Sequence, residues 1–237
     1  MYERKKFFCG DSIEIEESHT GRYGAPGMKR AKRKKPTPEQ MAKQNQWKKE
    51  RDIRRLLKEN FTEHDYWITL TYRKEDRPKS AGEAKKQFQK FLRKMREQYR
   101  KRKKELKYIG VMETGSKGAV HYHIVINRIE GADKLVADLW SYGRASFGLL
   151  YLEGGFRKLA NYIAKEQDEK ERKWYSRSRN LKKPKMKKEI MKRKTFTREI
   201  QVPKGYYLEK ESVYEGVNPV TGHPYRHYTL IRAGRRC

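Results

Sequence analysis

The sequence predicts an α+β fold in which helices flank a central antiparallel β-sheet. Residues 66–72, 107–113 and 119–127 are rich in β-branched and aromatic residues, a composition typical of strands. The segment Gly115 to Gly118 separates the last two strands, which indicates a hairpin. Between the first two strands, apolar residues recur at helical spacing from Ala84 to Tyr99, which predicts an amphipathic helix.

The N-terminal region, residues 1–36, is predicted as a short hairpin followed by a basic linker. Residues 2–17 contain two β-like segments on either side of a Gly10-Asp11 turn. The run from Lys29 to Lys35 contains six Lys or Arg residues, and it fits a solvated linker and a phosphate contact about equally well.

Residues 37–168 are predicted to form the central domain, and its first two helices begin at recognisable caps. Thr37 and Gln40 form a capping box with a proline between them, and the helix is expected to run to about Asn60. Ser80 caps the next helix, whose apolar stripe is a packing face. That stripe consists of Ala84, Phe88, Phe91, Leu92, Met95 and Tyr99. A short helix near 132–140, a strand over 145–152 and a last helix beyond Gly154-Gly155 complete the domain.

Residues 169–237 are predicted as a basic arm and a C-terminal β-hairpin. The stretch 170–194 contains 13 Lys or Arg residues, with Trp174 and Tyr175 among them. Such a stretch is typical of a solvated arm, and aromatic rings among cations also suit stacking on unpaired bases. Two β-like segments near 205–214 and 225–231 predict the hairpin.

The charge of the chain indicates a polyanionic partner. Its 237 residues include 60 Lys and Arg against 30 Asp and Glu, a formal net charge of +30. Cys9 and Cys237 offer neither zinc-ligand spacing nor a disulfide framework, which fits a reducing cytosol. No segment has an apolar signal core or the ~20 apolar residues of a membrane span, so we expect a soluble intracellular protein with no membrane partner.

The strand at 120–127 carries two histidines that suit metal binding. With a period of two, His121 and His123 lie on one face, roughly 6.5–7 Å apart along the strand. A single His-x-His motif is often only a pair of surface histidines. Glu113 changes this interpretation, because the hairpin brings it back beside both imidazoles. Two imidazoles and a carboxylate suit Mn, Fe, Co or Zn, and non-haem iron oxygenases use the same set, so these ligands leave the chemistry open.

Tyr162 is a candidate nucleophile on the last predicted helix. It shares a helix face with Lys165, three residues later. A tyrosine on an amphipathic helix is usually a packing residue, and a pKa near ~10 makes it a poor nucleophile at neutral pH. A nearby lysine lowers such a pKa or holds a phosphate, and a metal polarises the phosphoryl oxygen.

Three segments, in order, resemble the three motifs of the HUH endonucleases. They are Trp67-Ile68-Thr69-Leu70-Thr71-Tyr72, then His121-Tyr122-His123, then Tyr162-Ile163-Ala164-Lys165. The sequence is most similar to the single-tyrosine, rolling-circle replication-associated proteins of bacterial plasmids and phages. The runs Ser178 to Pro184 and Thr20 to Gly24 also look like this group, so the resemblance covers most of residues 1–190.

The resemblance implies an HUH, ferredoxin-like or RRM-like catalytic domain with a metal-dependent nicking and joining activity. A divalent metal, Mn²⁺ or Mg²⁺, would be bound by His121, His123 and Glu113. Tyr162 would attack the scissile phosphate of a single strand, leaving a 3′-hydroxyl and a 5′-phosphotyrosine link. Lys165 would stabilise charge on the tyrosine or the phosphate.

The resemblance also implies the partners. The substrate would be single-stranded DNA at a replication origin in the cytoplasm of a bacterial host cell. A host polymerase would extend the 3′-hydroxyl, and a host helicase would unwind the duplex, because the sequence contains no Walker phosphate loop. Glu166 occupies the position of a second helical tyrosine, which favours a one-tyrosine mechanism. No sequence feature predicts an oligomeric state. The residues implied in DNA binding are Thr71, Tyr72, Arg73, Arg179, Lys182 and Lys183.

Three alternatives remain from the sequence. A relaxase or a single-tyrosine transposase would cut DNA by the same chemistry. A non-catalytic basic protein that binds nucleic acid or the ribosome would explain the charge and the aromatic residues, but it would leave the histidines, Glu113 and Tyr162 as a coincidence. An iron oxygenase would share the metal ligands without accounting for the net charge. Metal-dependent nicking separates the nucleases from the other two.

Overall fold

The structure is a computed structural model that describes residues 1–19, 35–115, 118–150, 153–165, 174–218 and 222–234. Within these residues the chain forms two five-stranded antiparallel sheets and four α-helices, which confirms the predicted α+β class. The Thr20 to Gly24 run and almost all of the basic run at 29–35 lie outside the described residues.

The strands and helices are numbered in chain order. The strands are β1 (Tyr2–Cys9), β2 (Ser12–Ser18), β3 (Tyr66–Thr71), β4 (Tyr108–Thr114), β5 (Val120–Ile126), β6 (Ala145–Leu149), β7 (Trp174–Arg177), β8 (Lys185–Met191), β9 (Tyr206–Val217) and β10 (Pro224–Arg232). The helices are α1 (Pro38–Asn60), α2 (Ala81–Lys101), α3 (Ala132–Leu139) and α4 (Arg157–Ala164), and a short 3₁₀ turn at Glu153–Phe156 precedes α4.

The chain divides into two compact units. Unit 1 combines residues 1–45 with residues 183–237, and unit 2 comprises residues 46–182. The sequence predicts 1–36 and 169–237 as separate extensions of a domain at 37–168, whereas the structure places most of both extensions in one unit. As independently folding domains, the predicted segments stay a prediction.

Unit 1 contains a sheet with the strand order β8-β1-β2-β10-β9. The predicted hairpins at both ends of the chain are present, as β1 with β2 and as β9 with β10. Alongside the apolar side chains of this sheet lies a buried ion pair in which Arg226 donates to the carboxylate of Glu17 at 2.8 Å. Arg4 donates to the second oxygen of the same carboxylate at 2.7 Å. The buried apolar residues are Ile13, Ile15, Tyr228 and Leu230.

The segment predicted as a solvated basic arm contributes, in its described part, one strand to each sheet. β7 pairs with β4 in unit 2, and β8 pairs with β1 in unit 1. Both are edge strands. An edge strand pairs through its backbone and keeps charged side chains in solvent, so a Lys-rich segment suits this position. In β8, Lys188 forms an ion pair with Glu3 across to β1.

Unit 2 contains a sheet with the strand order β6-β3-β5-β4-β7, and its helices begin where their caps predict. Thr37 and Gln40 exchange the two hydrogen bonds of a capping box at the start of α1. Ser80 accepts from the backbone N–H of Glu83 at the start of α2. The predicted apolar stripe of α2 is buried against one face of the sheet, together with Val136 of α3.

The opposite face of this sheet is covered as well, which the sequence does not predict. Ile109, Val111 and Val125 point to this face and are at most 1% exposed. They pack against α4 and against the C-terminal half of α1, including Leu57. The predicted half-buried strand at β5 is therefore wrong along most of its length, and only the end that carries the histidines reaches solvent.

None of the helices in the described part of the chain is both long enough and apolar enough to cross a membrane.

Candidate active site

Three neighbouring strands place four polar side chains on one face of the unit 2 sheet. Glu113 on β4 lies directly opposite His121 on β5, and Thr69 on β3 lies directly opposite His123. The turn between β4 and β5 is closed around Gly118, whose φ of +74° is accessible to glycine without strain. Because side chains alternate along strands, this pairing puts both imidazoles and the carboxylate on the same side.

The two imidazoles and the carboxylate form a cluster that suits a metal ion. Glu113 Oε2 lies 3.5 Å from His121 Nε2 and 3.9 Å from His123 Nε2. One ligand atom from each residue lies within 4.8 Å of the other two. Ligands at ~2.0–2.2 Å from a common ion lie at most roughly 4.4 Å apart, so a small side-chain rotation would complete the set. The donor set therefore fits a divalent metal, with its remaining coordination positions open.

Tyr162 on α4 reaches the same cluster from the helix that covers this face. Its hydroxyl donates to Glu113 Oε2 at 2.7 Å, the oxygen that faces both histidines. Its ring packs edge-on against His123, with the ring centroids 5.3 Å apart. The side chain is 39% exposed, so a substrate can reach it from solvent. The structure thus brings together the predicted nucleophile and the predicted metal ligands.

The environment of Tyr162 favours its protonated form in the absence of a bound cation. Burial raises the pKa of the phenol above its ordinary value, and the hydrogen bond to Glu113 and the charge of that carboxylate raise it further. Glu113 is 4% exposed, so little solvent screens this interaction. A cation held by the carboxylate would counter the negative charge that keeps the phenol protonated.

Two residues that fix His123 have no assigned role in the sequence analysis. Thr69 Oγ1 is 3.0 Å from His123 Nδ1, and this contact leaves Nε2 facing Glu113. Trp67 stacks on the same imidazole, with a centroid distance of 5.3 Å and an interplanar angle of 6°. Both belong to the first quoted motif, and their alternation along β3 is the signal that could have placed them beside His123.

Lys165 lies at the end of α4 as its exposed C-cap residue, where the backbone has left helical geometry. The prediction that it shares a helix face with Tyr162 therefore loses its basis, since α4 ends at Ala164. Its role toward the tyrosine or the phosphate stays a prediction.

The end of β3 carries three of the residues that the resemblance assigns to DNA binding, and they point in different directions. Thr71 is exposed, and its hydroxyl donates to a backbone carbonyl in the segment before β6 at 3.3 Å. Tyr72 packs into the opposite core, where its hydroxyl lies 3.1 Å from that of Tyr122 and burial raises its pKa to about 12. Arg73 is exposed and pairs with Asp76 at 2.9 Å. The structure does not bring these three side chains together.

The other three assigned residues follow β7. Arg179 is exposed at the rim of a cleft beside α2. Lys182 exchanges two backbone hydrogen bonds, each of 2.8 Å, with the side chain of Asn60. Lys183 is exposed and is the first residue of the second segment of unit 1. The DNA contacts of all six residues stay predictions.

Comparison with known proteins adds one finding. Residues 65–168 match the family model for the replication-associated protein ORF2. The match begins just before β3 and includes Glu113, both histidines and Tyr162. No curated protein and no solved structure gives a significant match. The matched region is therefore similar to replication-associated proteins, which supports a replication initiator.

Proposed function

We propose that this protein initiates DNA replication by nicking one DNA strand and joining itself to the cut end through Tyr162. The observation that carries the proposal is the hydrogen bond from Tyr162 to Glu113, the residue that also faces both histidines. A potential nucleophile and a potential metal site thus share one oxygen atom. The similarity of residues 65–168 to replication-associated proteins supports the biological setting.

In this proposal His121, His123 and Glu113 hold a divalent cation, Mn²⁺ or Mg²⁺. Bound there, it would act as a Lewis acid that withdraws charge from the phosphoryl oxygens of the substrate. Thr69 and Trp67 hold the imidazole of His123 in the orientation that presents Nε2 to the site.

The phenol oxygen of Tyr162 attacks phosphorus while the bond from phosphorus to the 3′ oxygen breaks. The phenol proton leaves along the existing hydrogen bond toward Glu113, and the departing 3′ oxygen takes up a proton to become a hydroxyl. The 5′-phosphate remains esterified to the tyrosine, so the phosphodiester energy is conserved for later rejoining. Lys165 stabilises charge near the phosphate, a host polymerase extends the 3′-hydroxyl, and a host helicase opens the duplex.

The test is the covalent adduct. Purified protein is mixed with single-stranded oligonucleotides from its own replicon, with Mn²⁺ or with EDTA, and separated on a denaturing gel. We expect an adduct with Mn²⁺ that is absent with EDTA and absent from Tyr162→Phe, because phenylalanine keeps the ring and removes the nucleophilic oxygen. Mass spectrometry of the adduct should locate the nucleotide on Tyr162.

The matched control is Tyr214→Phe, which removes a hydroxyl from a side chain that is 58% exposed in unit 1. This variant should form the adduct at the wild-type rate. His121→Ala should lose both the adduct and the Mn²⁺ binding measured by calorimetry. If no cognate strand yields an adduct while the protein still binds DNA tightly, the chain is a non-catalytic binding protein and the proposal fails.

A further inference from the structure

A concave cleft of about 660 Å³ lies at the side of the unit 2 sheet, between α2 and the edge strand β7. The loop that follows α2 closes one end, and the segment that follows β7 closes the other. The floor is apolar and includes Leu92, Leu106, Tyr108 and Trp174. Ser176 and Ser178 add hydroxyl groups to the wall on the β7 side.

This cleft is separate from the candidate active site. Tyr108 and Trp174 pack with the core on the α2 side of the sheet. Glu113 lies five positions after Tyr108 on the same strand, so its side chain points to the opposite face. A ligand in the cleft would therefore contact neither the histidines nor Tyr162.

The rim of the cleft is strongly cationic. Glu105 is the acid among the described lining residues, and its carboxylate accepts a hydrogen bond from Asn180 at 3.2 Å. Five exposed cations converge on one opening, and such a cluster attracts a polyanion and concentrates the local field. These cations are Arg96, Arg100, Lys104, Arg177 and Arg179.

The aromatic rings of the floor are already in contact with cations and with the core. Arg96 lies over the ring of Tyr108 at 5.8 Å, and Lys85 lies over the ring of Trp174 at 5.4 Å. Phe88 packs edge-on against Trp174 from the core. These contacts leave little ring surface for a base, so phosphate contacts with the rim cations are the dominant interaction on offer.

The shape of the cleft selects the form of the polyanion. Its volume lies within the ~300–1,000 Å³ range of ligand pockets, which suits a short segment of a single strand. A DNA duplex is a wide convex rod that would span the rim without entering. We propose that this cleft is a second, non-catalytic site that binds single-stranded DNA through its phosphates.

The consequence for the reaction rests on the proposed function. A strand that is held in the cleft and also lies in the active site would be bound on both faces of one sheet. Breaking the phosphodiester at the active site would then leave the strand attached at the cleft, so the cut end would stay close for rejoining.

The experiment compares two triple variants with equal charge changes. The cleft variant carries Arg96→Gln, Arg100→Gln and Arg179→Gln. The control carries Lys90→Gln, Lys94→Gln and Lys101→Gln, three exposed positions on the other flank of α2. Fluorescence anisotropy measures binding of an oligodeoxythymidine and of a blunt duplex of equal length over a range of salt concentrations. EDTA is present throughout, so neither metal binding nor nicking affects the result.

We expect the cleft variant to bind the single strand about 10-fold more weakly than the control. Its log Kd should also depend less steeply on log salt, by about 2 units for three lost phosphate contacts. Duplex affinity should be the same in both variants. Equal unfolding temperatures should show that both remain folded.

Three results would overturn the proposal. An equal loss of affinity in both variants would mean that overall charge binds the strand. A loss of duplex binding as large as the loss of single-strand binding would mean that the cleft accepts a duplex. Unchanged binding in the cleft variant would mean that the cleft holds no DNA. A protein that fails to form the tyrosine adduct can still pass this test, so the two proposals fail separately.

Discussion

His123 shows how much of the candidate site depends on single neighbouring residues. Trp67 stacks on one face of its ring, and Tyr162 and His121 pack edge-on around it. Thr69 contacts Nδ1 at 3.0 Å. Because the imidazole is confined on several sides, its Nε2 keeps its direction toward Glu113. Residues that restrain a ligand in this way contribute to metal affinity without touching the metal.

Thr69→Val should therefore weaken metal binding while preserving the fold. Valine keeps the branched shape of threonine but removes the hydroxyl that contacts His123. We expect Mn²⁺ affinity to fall roughly 10–100-fold, the usual effect of losing a residue that orients a metal ligand. Calorimetry of Mn²⁺ binding is the measurement. Thr71→Val, two residues along the same strand, is the control and should keep wild-type affinity; equal losses in both variants would contradict the assigned role of Thr69.

At the scale of elements, β4 and β5 are the strands that both hold the site and form the centre of unit 2. Their apolar alternation predicts the core on the α2 side, and the structure confirms it. The other face is also apolar over most of its length, since α1 and α4 pack there against Ile109, Val111 and Val125. The metal ligands lie where this second core ends, which explains why Glu113 is buried while the histidines reach solvent.

Ile109→Ala and Ile124→Ala should destabilise the protein by similar amounts. Ile109 faces α1 and α4, Ile124 faces α2, and both side chains are fully buried. Truncating a buried isoleucine typically costs about 2–5 kcal/mol, whereas a surface change stays within roughly 0.5 kcal/mol. Chemical denaturation gives both values. A cost near zero for Ile109→Ala would mean that the face of the sheet bearing the metal ligands lacks a core.

At the scale of the whole molecule, the charge of +30 is distributed over a chain whose two ends share one sheet. In unit 1, Arg226 is 2% exposed and Glu17 is 0% exposed. A buried pair of this kind is costly to break, because removing one partner leaves the other charge without compensation in a medium of low polarity. Arg4 shares the same carboxylate, so this single acid holds together three of the five strands, β1, β2 and β10.

Glu17→Gln should destabilise unit 1 by about 3–5 kcal/mol. Glutamine keeps the size of the side chain but no longer neutralises Arg226 and Arg4. Hydrogen exchange followed by mass spectrometry should show lost protection in β1, β2 and β10. Glu199→Gln, an exposed acid of the same unit, is the control and should change stability by less than about 0.5 kcal/mol. Retained protection in Glu17→Gln would contradict the importance of the buried pair.

The sequence by itself determined the α+β class, the caps of α1 and α2, the packing stripe of α2 and the grouping of Glu113 with the two histidines. These features depend on local periodicity, on capping residues and on one tight hairpin, all of which are encoded within a few neighbouring residues. Only the tertiary structure brought Tyr162 to Glu113, Thr69 to His123, and β8 to β1. Those contacts join segments 49, 54 and more than 170 residues apart, and their geometry depends on packing that no local pattern records.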